Sequence, residues 1–380
     1  MHSSWSCAEQ DVGTDEHADR EPPGRGVIRL KEARCGLADL AADDGGKRGA
    51  IMAEPGHLQQ GTQRQDWIAA NDSIVRYFEA RTRRLDIVKT TRTSSGQILD
   101  WVPIQSQHPE GKIASPPPDE RAATVKAADP PVGVGSAHEA STFELEDKSA
   151  ERGPAGTVPI VRKDFSRIHA TTSLRAYLAK GRGKRLAAVA RKPVPDPVAD
   201  PDPFGYFHAT ATDYTTCFGG ETVLNVWDPA LQNSGDHSLM QLGILNTLDL
   251  PQLQSLEVGW EVSNDQYGDW DPHLFVYYTT NGYTKDDDNV GGYNQDVDGW
   301  VQVSDTIFPA ARISGTSVRG GDQRIVAIKC QLYQSNWWVK VKDIWIGYYP
   351  ASLYMGNQSV FSTLGDHGDQ IGRASCRERV

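Results

Sequence analysis

The chain of 380 residues has few cysteines and no long apolar runs. No run approaches the ~20 apolar residues that a membrane-spanning helix needs, so a helical membrane protein is excluded and no membrane partner is expected. The start, MHSSWSCAEQDVGTDEHADREPP, also lacks the apolar stretch of a secretory signal. Taken alone this start indicates the cytoplasm, although an incorrectly assigned first exon would leave the same sequence.

The common catalytic and metal-binding motifs are missing as well. The sequence has no G-x-S-x-G elbow, H-E-x-x-H helix, Walker A loop or C-x-x-C pair. No cluster of cysteine and histidine has the spacing of a zinc site, and we expect neither metal nor cofactor. The acidic stretches 285–289 and 296–299 offer hard oxygen ligands for calcium, as a minor alternative. Cys217 and Cys330 are compatible with one disulfide or with two buried thiols.

Aromatic residues are concentrated in the second half of the chain. Seven of the ten tryptophans lie between Phe204 and Tyr354, whereas residues 1–65 are polar and predicted to be disordered. Residues 66–105 form a small unit: Asn71-Asp72-Ser73 can cap a helix, and Ser94-Ser95-Gly96 is typical of a hairpin turn. Residues 106–203 are interpreted as a linker, with a short extended piece at 156–162.

The stretch from Arg162 to Lys192 holds ten basic residues and one acidic one, in a chain of net charge −11. One interpretation is a solvated linker, and another is a segment that lies against the acidic globular half. Gly183-Lys184-Arg185 would suit a protease that cuts after dibasic sites. Nucleic acid is not an expected partner, because no aromatic residues are interleaved for base stacking.

From residue 204 to 370 the pattern changes to short alternating strands separated by Gly, Asn or Asp. Nine candidates follow one another: YFHATAT, ETVLNVW, HSLMQLGIL, LQSLEVGWEVS, HLFVYYTT, WVQVS, RIVAIKCQLY, WWVKV and IWIGYY. This spacing predicts a mainly β fold, an antiparallel β-sandwich or open barrel.

One of these strands carries two glutamates on its polar face. Glu257 and Glu261 are four residues apart, or roughly 13 Å at ~3.3 Å per residue. A coupled acid and base need carboxyls about 5–9 Å apart, so this strand supplies one member of a pair at most. Gly259 between them would let a substrate backbone approach the sheet beside Glu257.

The stretches SLMQLGIL, LEVGWEVSNDQYGD, FVYYTTNGY and NWWVKVKDIWIGYYPASLY together resemble the neprosin-like family of glutamic peptidases. The resemblance runs from about residue 204 to 358. Upstream, RRLDIVKTTRTSSGQILDWVPI resembles the activation segment of that family.

The resemblance implies an antiparallel β-sandwich that is a secreted acid endopeptidase, made as a zymogen and cutting near proline in polypeptides. Its own activation segment is then an expected partner. Two glutamates do the chemistry, and the first maps onto Glu257. Gln241 lines the site and would steady the oxyanion, and Tyr277 is a further supporting residue. Glu261 lies outside the family motif and is expected to face solvent.

The C-terminal part departs from the family pattern. The second glutamate of the family lies on a later strand, but here Glu261 is followed by no glutamate until Glu378. Residues 371–380, IGRASCRERV, look like translated sequencing adapter, so Glu378 is not expected to be the partner. We therefore expect a truncated, inactive sandwich with an unpaired edge strand. The alternative function is a noncatalytic β-sandwich that binds carbohydrate or protein.

Overall fold

The computed structural model describes residues 28–29, 72–118, 138–166, 174–178, 180, 206–231, 236–247, 253–282, 291–355 and 363–378. Within these residues the chain is mainly β, as predicted. The strands are β1 (Ile28–Arg29), β2 (Lys89–Arg92), β3 (Ile98–Pro103), β4 (His138–Ala140), β5 (Thr142–Phe143), β6 (Thr157–Arg162), β7 (Tyr206–Asp213), β8 (Gly219–Asn225), β9 (His237–Asn246), β10 (Gln254–Ser263), β11 (His273–Thr279), β12 (Gly291–Tyr293), β13 (Val301–Gln302), β14 (Ile313–Ser314), β15 (Gln323–Tyr333), β16 (Asn336–Val341), β17 (Ile344–Pro350) and β18 (Gln370–Glu378). The helices are α1 (72–83), α2 (Leu174–Leu178), α3 (Asn264–Tyr267) and three 3₁₀ turns at Ile104–Gln107, Glu144–Glu146 and Ala351–Tyr354.

Two large sheets make up the sandwich. One has the order β1-β8-β15-β16-β17-β13, with β4 also paired to β15, and the other has the order β12-β11-β10-β9-β18-β7. The described pairings are antiparallel apart from β1 with β8 and β4 with β15. All nine strands predicted from alternation are present, because each predicted stretch shows the two-residue period of a half-buried strand. Of the stretch WVQVS only Val301–Gln302 forms a strand, β13.

The main core lies between the two sheets. From the six-stranded sheet it takes the even-numbered residues of β10, among them Leu256, Val258 and Trp260. From the other sheet it takes alternate residues of β15 and β16, such as Ile328 and Trp337. Since one face of β10 is committed to this core, the odd-numbered residues must lie on the opposite, outer face of the sheet.

Cys217 and Cys330 belong to this core as free thiols. Burial raises the pKa of Cys217 to about 11, with a smaller contribution from the charge of Asp369. Burial raises the pKa of Cys330 as well. Both groups are therefore protonated at neutral pH and behave as small apolar residues.

The segment before the sandwich docks on it through α1 and a three-stranded sheet, β2-β3-β6. Tyr77 of α1 donates a hydrogen bond to the carbonyl of Asp296 at 2.8 Å, and Gln97 beside β3 donates to the carbonyl of Ala310 at 2.9 Å. The predicted hairpin is β2-β3, and the predicted extended piece is β6. The part interpreted as a linker also contains β4 and β5, which pair with β15 and β14.

The C-terminal strand differs from the expectation of an open edge. Residues Gln370–Glu378 form β18, which lies between β9 and β7 and pairs with both. Extended backbone can complete a ladder whatever its side chains, and here Ile371 also fills the core with no exposed surface. The sheet is therefore closed at this position, and the adapter-like origin of residues 371–380 stays a prediction.

None of the helices in the described part of the chain has the length and apolarity needed to cross a membrane.

Candidate active site

The outer face of the six-stranded sheet carries the residues singled out from the sequence. β10 pairs with β9 on one side and with β11 on the other, so that Glu257 lies level with Gly243 and Tyr277, and Gln241 lies level with Gly259. Three aromatic residues and one leucine cover this part of the face as a second apolar cluster: Leu239, Phe275, Tyr277 and Tyr293. The site is therefore a carboxylate set beside aromatic rings.

Glu257 is only 2% exposed, and its carboxylate has three hydrogen-bond donors around it. The hydroxyl of Ser255 donates to Oε1 at 2.7 Å, and the amide of Gln241 donates to Oε2. The ammonium of Lys180 also donates to Oε2, at 2.5 Å. Since a buried carboxylate without partners is costly, these donors are what hold Glu257 in place.

The structure brings the three predicted site residues together. Gln241 touches Glu257 through its amide, while its own carbonyl oxygen accepts from Lys180 at 2.6 Å. The ring of Tyr277 lies directly across the strand pair from Glu257. Burial raises the pKa of Tyr277 well above its usual value, and the charge of Glu257 raises it further, so the phenol stays protonated.

Lys180 is the main residue that the sequence analysis did not single out. Its side chain is 10% exposed and ends at Glu257, with Nζ 4.6 Å from the ring centre of Phe275 and 4.9 Å from that of Tyr277. The available signal was the basic stretch 162–192. That stretch was interpreted either as a solvated linker or as a segment that lies against the acidic globular half. For Lys163 and Lys180 the second interpretation is correct, because both pair with acidic residues of the sandwich.

Two contacts of residues that precede Lys180 in the chain fix the position of this lysine. At the end of β6, Lys163 forms a buried ion pair with Asp296 at 3.0 Å. Tyr177 of α2 is then buried in a small cluster with Ile74 and Phe78 of α1. These contacts place α2, and so Lys180, over the outer face of the sheet.

Two glycines explain how the strands approach each other here. A Cβ at Gly259 would lie 1.9 Å from the carbonyl oxygen of Met240, so this glycine is required by the close approach of β9. From the sequence, we expected Gly259 to let a substrate backbone approach the sheet beside Glu257. A Cβ at Gly243 would be 3.3 Å from Cδ1 of Leu245 and 3.9 Å from Cγ of Glu257, so this glycine is closely surrounded as well.

The expectation that Glu261 faces solvent is wrong. It is 1% exposed, and its contact is a 3.5 Å hydrogen bond from the hydroxyl of Tyr293. Burial raises the pKa of Tyr267 in the next helix, and the charge of Glu261 contributes to that shift. Alternation places a residue on a face of a sheet, but it does not show what covers that face.

The position of β18 decides which of its residues can reach Glu257. Gly372 lies level with Gly243 and Glu257, and Ala374 lies level with Gln241. Glu378 lies level with His237, six residues further along, or about 20 Å from Glu257. Its backbone position therefore agrees with the expectation that Glu378 is not the partner acid.

The second acidic stretch considered for calcium is engaged in other contacts. Asp296 pairs with Lys163, and Asp298 pairs with Arg81 at 2.8 Å. The first stretch, 285–289, lies outside the described residues, and so does the dibasic sequence at 183–185.

Fold and site together define an antiparallel β-sandwich with a buried, hydrogen-bonded glutamate on the outer face of one sheet. Residues 234–372 match the family model described as Neprosin, which supports a neprosin-like assignment for this part of the chain. This match covers β9, β10 and β11 and the first residues of β18, and therefore Glu257, Gln241 and Tyr277. The neprosin family is one of peptidases.

The chain is also similar to solved β-rich structures at low identity. A glycoside hydrolase family 16 enzyme from Bacteroides ovatus, in complex with a glucan product, is 9% identical, with a TM-score of 0.24; the match covers 44% of this chain and 57% of that one. A homodimeric agglutinin from chicken liver is 13% identical, with a TM-score of 0.18; this match covers 41% and 92%. This chain thus spans little more than half of the first of these relatives.

Proposed function

We propose that this protein is a secreted endopeptidase of the glutamic type, which cleaves polypeptides near proline and is made as a zymogen. The observation that carries the proposal is the environment of Glu257, a buried carboxylate held by Ser255 and Gln241 inside a neprosin domain. A carboxylate in this setting can accept a proton from water while the water oxygen attacks a peptide carbonyl.

The second half of the reaction needs an acid. A protonated carboxyl would donate to the leaving nitrogen as the C–N bond breaks, and Gln241 would steady the carbonyl oxygen. The neprosin-like resemblance assigns this role to a second glutamate on a later strand. No residue of the described outer face that lies level with Glu257 or Gln241 on β18 is acidic, because the sequence has Gly372 and Ala374 there. The chain as it stands is therefore proposed to be inactive.

Lys180 supports the zymogen proposal. Its ammonium lies against Glu257 at 2.5 Å, where a water would have to be activated. Lys180 itself belongs to the stretch interpreted as a linker, but Tyr177, three residues earlier, packs on Ile74 and Phe78 of α1, within the unit 66–105 that resembles an activation segment. A substrate must displace this segment before it can reach the carboxylate. Cleavage of the chain after residue 180, for instance at 183–185, would release it.

The test is to restore the missing acid and remove the block. By strand spacing, the Cα of Ala374 is about 12 Å from that of Glu257, so a glutamate at 374 brings two carboxyls within the ~5–9 Å that acid–base pairs use. The variant Lys180→Ala/Ala374→Glu is expected to cleave a quenched fluorescent peptide containing proline at pH ~3–5. Lys180→Ala/Ala374→Gln is the matched control and is expected to be inactive.

Adding Glu257→Gln to the restored variant is expected to lower kcat/KM by about 100-fold or more, in the range for loss of a general acid or base. Activity that persists unchanged in that variant contradicts the assignment of Glu257.

A further inference from the structure

The ammonium of Lys180 ends in a cage whose walls are all supplied by the sandwich. Oxygens of Glu257 and Gln241 accept from Nζ at 2.5 and 2.6 Å. The same Nζ lies over three ring faces, 4.6 Å from the centre of Phe275, 4.9 Å from Tyr277 and 5.8 Å from Tyr293. Two anionic or polar acceptors with three aromatic faces make up the environment that desolvated cations prefer.

The aromatic walls of the cage also contact one another. Tyr293 packs edge-on against Tyr277 with ring centres 5.0 Å apart, and against Phe275 at 5.7 Å. These rings are carried by β11 and β12, which are paired in register at Tyr277 and Tyr293. When the segment around residue 180 leaves, the same acceptors and rings are left facing the vacated space.

The shape of the cage selects a compact cation on an apolar stem. Two acceptors converge on a single nitrogen, which suits an ammonium with three donors better than a planar guanidinium. The side chain of Lys180 is only 10% exposed, so its apolar stem is buried together with the ammonium. Burial keeps the phenols of Tyr277 and Tyr293 neutral by raising their pKa values, so the rings do not compete as anions.

We propose that this cage is a binding site for primary alkylammonium groups, filled here by Lys180 and, once that segment has left, by the lysine side chain of another polypeptide. The inference takes its site from the proposed function and adds the class of ligand. A bound ammonium occupies the water position at Glu257, so lysine side chains and free primary amines would inhibit cleavage rather than promote it.

Chemical rescue of the full-length Lys180→Ala variant tests the cage without any catalytic readout. n-Propylammonium supplies the three carbons and the nitrogen that this substitution removes. We expect it to raise the Tm of Lys180→Ala by a few degrees in a saturable way, because it binds the folded state alone. Propanol and sodium chloride at equal concentration should give no saturable rise, and neither should guanidinium.

Three controls make the result specific. The wild-type chain, whose cage is filled, and Lys112→Ala, which removes an exposed lysine, should show no rescue. Lys180→Ala/Glu257→Gln should lose most of it. If Lys180→Ala is too unstable to purify, n-propylammonium but not propanol should restore soluble protein on refolding. Equal responses to n-propylammonium and propanol overturn the cage, whichever measurement is used.

The outcome is separable from the fate of the peptidase proposal. Rescue of Lys180→Ala by n-propylammonium, without peptide cleavage by Lys180→Ala/Ala374→Glu, supports the alkylammonium site and contradicts the peptidase proposal. Cleavage without rescue supports the peptidase proposal and contradicts the alkylammonium site.

Discussion

Glu257 and Glu261 lie on the same face of one strand and are almost equally buried, at 2% and 1% exposure, yet their surroundings differ. Glu257 is contacted by Ser255, Gln241 and Lys180, whereas Glu261 has a long contact from Tyr293, and its Oε2 has no hydrogen-bond partner among the described residues. Burial alone therefore does not mark a functional carboxylate. The difference lies in whether polar partners from neighbouring strands converge on it.

The largest expected effect is on peptide cleavage, because the ammonium of Lys180 blocks the carboxylate of Glu257. Removing Lys180 from the Ala374→Glu variant should raise kcat/KM for a proline-containing peptide by about 100-fold, because breaking a buried ion pair is worth about 3 kcal/mol. The measurement compares Ala374→Glu with Lys180→Ala/Ala374→Glu. Lys112→Ala is the control for a general loss of charge, and equal rates with and without Lys180 contradict the block.

The same ion pair should contribute to the stability of the intact chain. Lys180→Met keeps an apolar stem in the cage but leaves Glu257 without its counterion. We expect the free energy of unfolding to fall by about 3 kcal/mol in urea titrations. An unchanged midpoint would show that the segment around 180 is not docked in solution.

Glu261 should behave in the opposite way. Glu261→Gln removes a buried charge that has one weak contact, so the unfolding free energy should change by less than about 1 kcal/mol or increase. A loss as large as that for Lys180→Met would show that Glu261 has a strong partner, and the contrast between the two glutamates would then disappear.

A third glutamate sharpens the comparison through pH. Burial by itself would raise the pKa of Glu144, but hydrogen bonds from Ser94 and Ser95 outweigh it and hold that pKa below its usual value. A lowered pKa means that the contribution of Glu144 to stability is present above its unfolded pKa and is lost as the pH falls through the folded one. Glu144→Gln should therefore flatten the loss of stability below pH ~4.5, measured by thermal unfolding.

Much of this fold can be read from alternation. The nine strands predicted from the sequence all form, and β16 and β17 are joined by a turn in which Lys342 has φ 55°. The short strands β4, β5, β12 and β14 could not be predicted, because two or three residues do not show a period. Their pairing is set by the tertiary structure around them.

The site was predictable only in part, for the same physical reason. Glu257 and Gln241 follow from motif and strand phase, and the register of β9 and β10 is what brings them into contact. Lys180 could not be chosen among ten basic residues, since its position depends on contacts 61 and 77 residues away. The expectation that Glu261 faces solvent was wrong for a related reason, because the residues that bury this side chain, such as Tyr293, belong to other elements.

The most direct test of this account is a side-by-side measurement of kcat/KM in the Lys180→Ala/Ala374→Glu background, with Glu257→Gln in one sample and Glu261→Gln in the other. The account predicts a loss of about 100-fold or more for Glu257→Gln and a change of less than about 3-fold for Glu261→Gln. Equal losses, or a larger loss at Glu261, would contradict it.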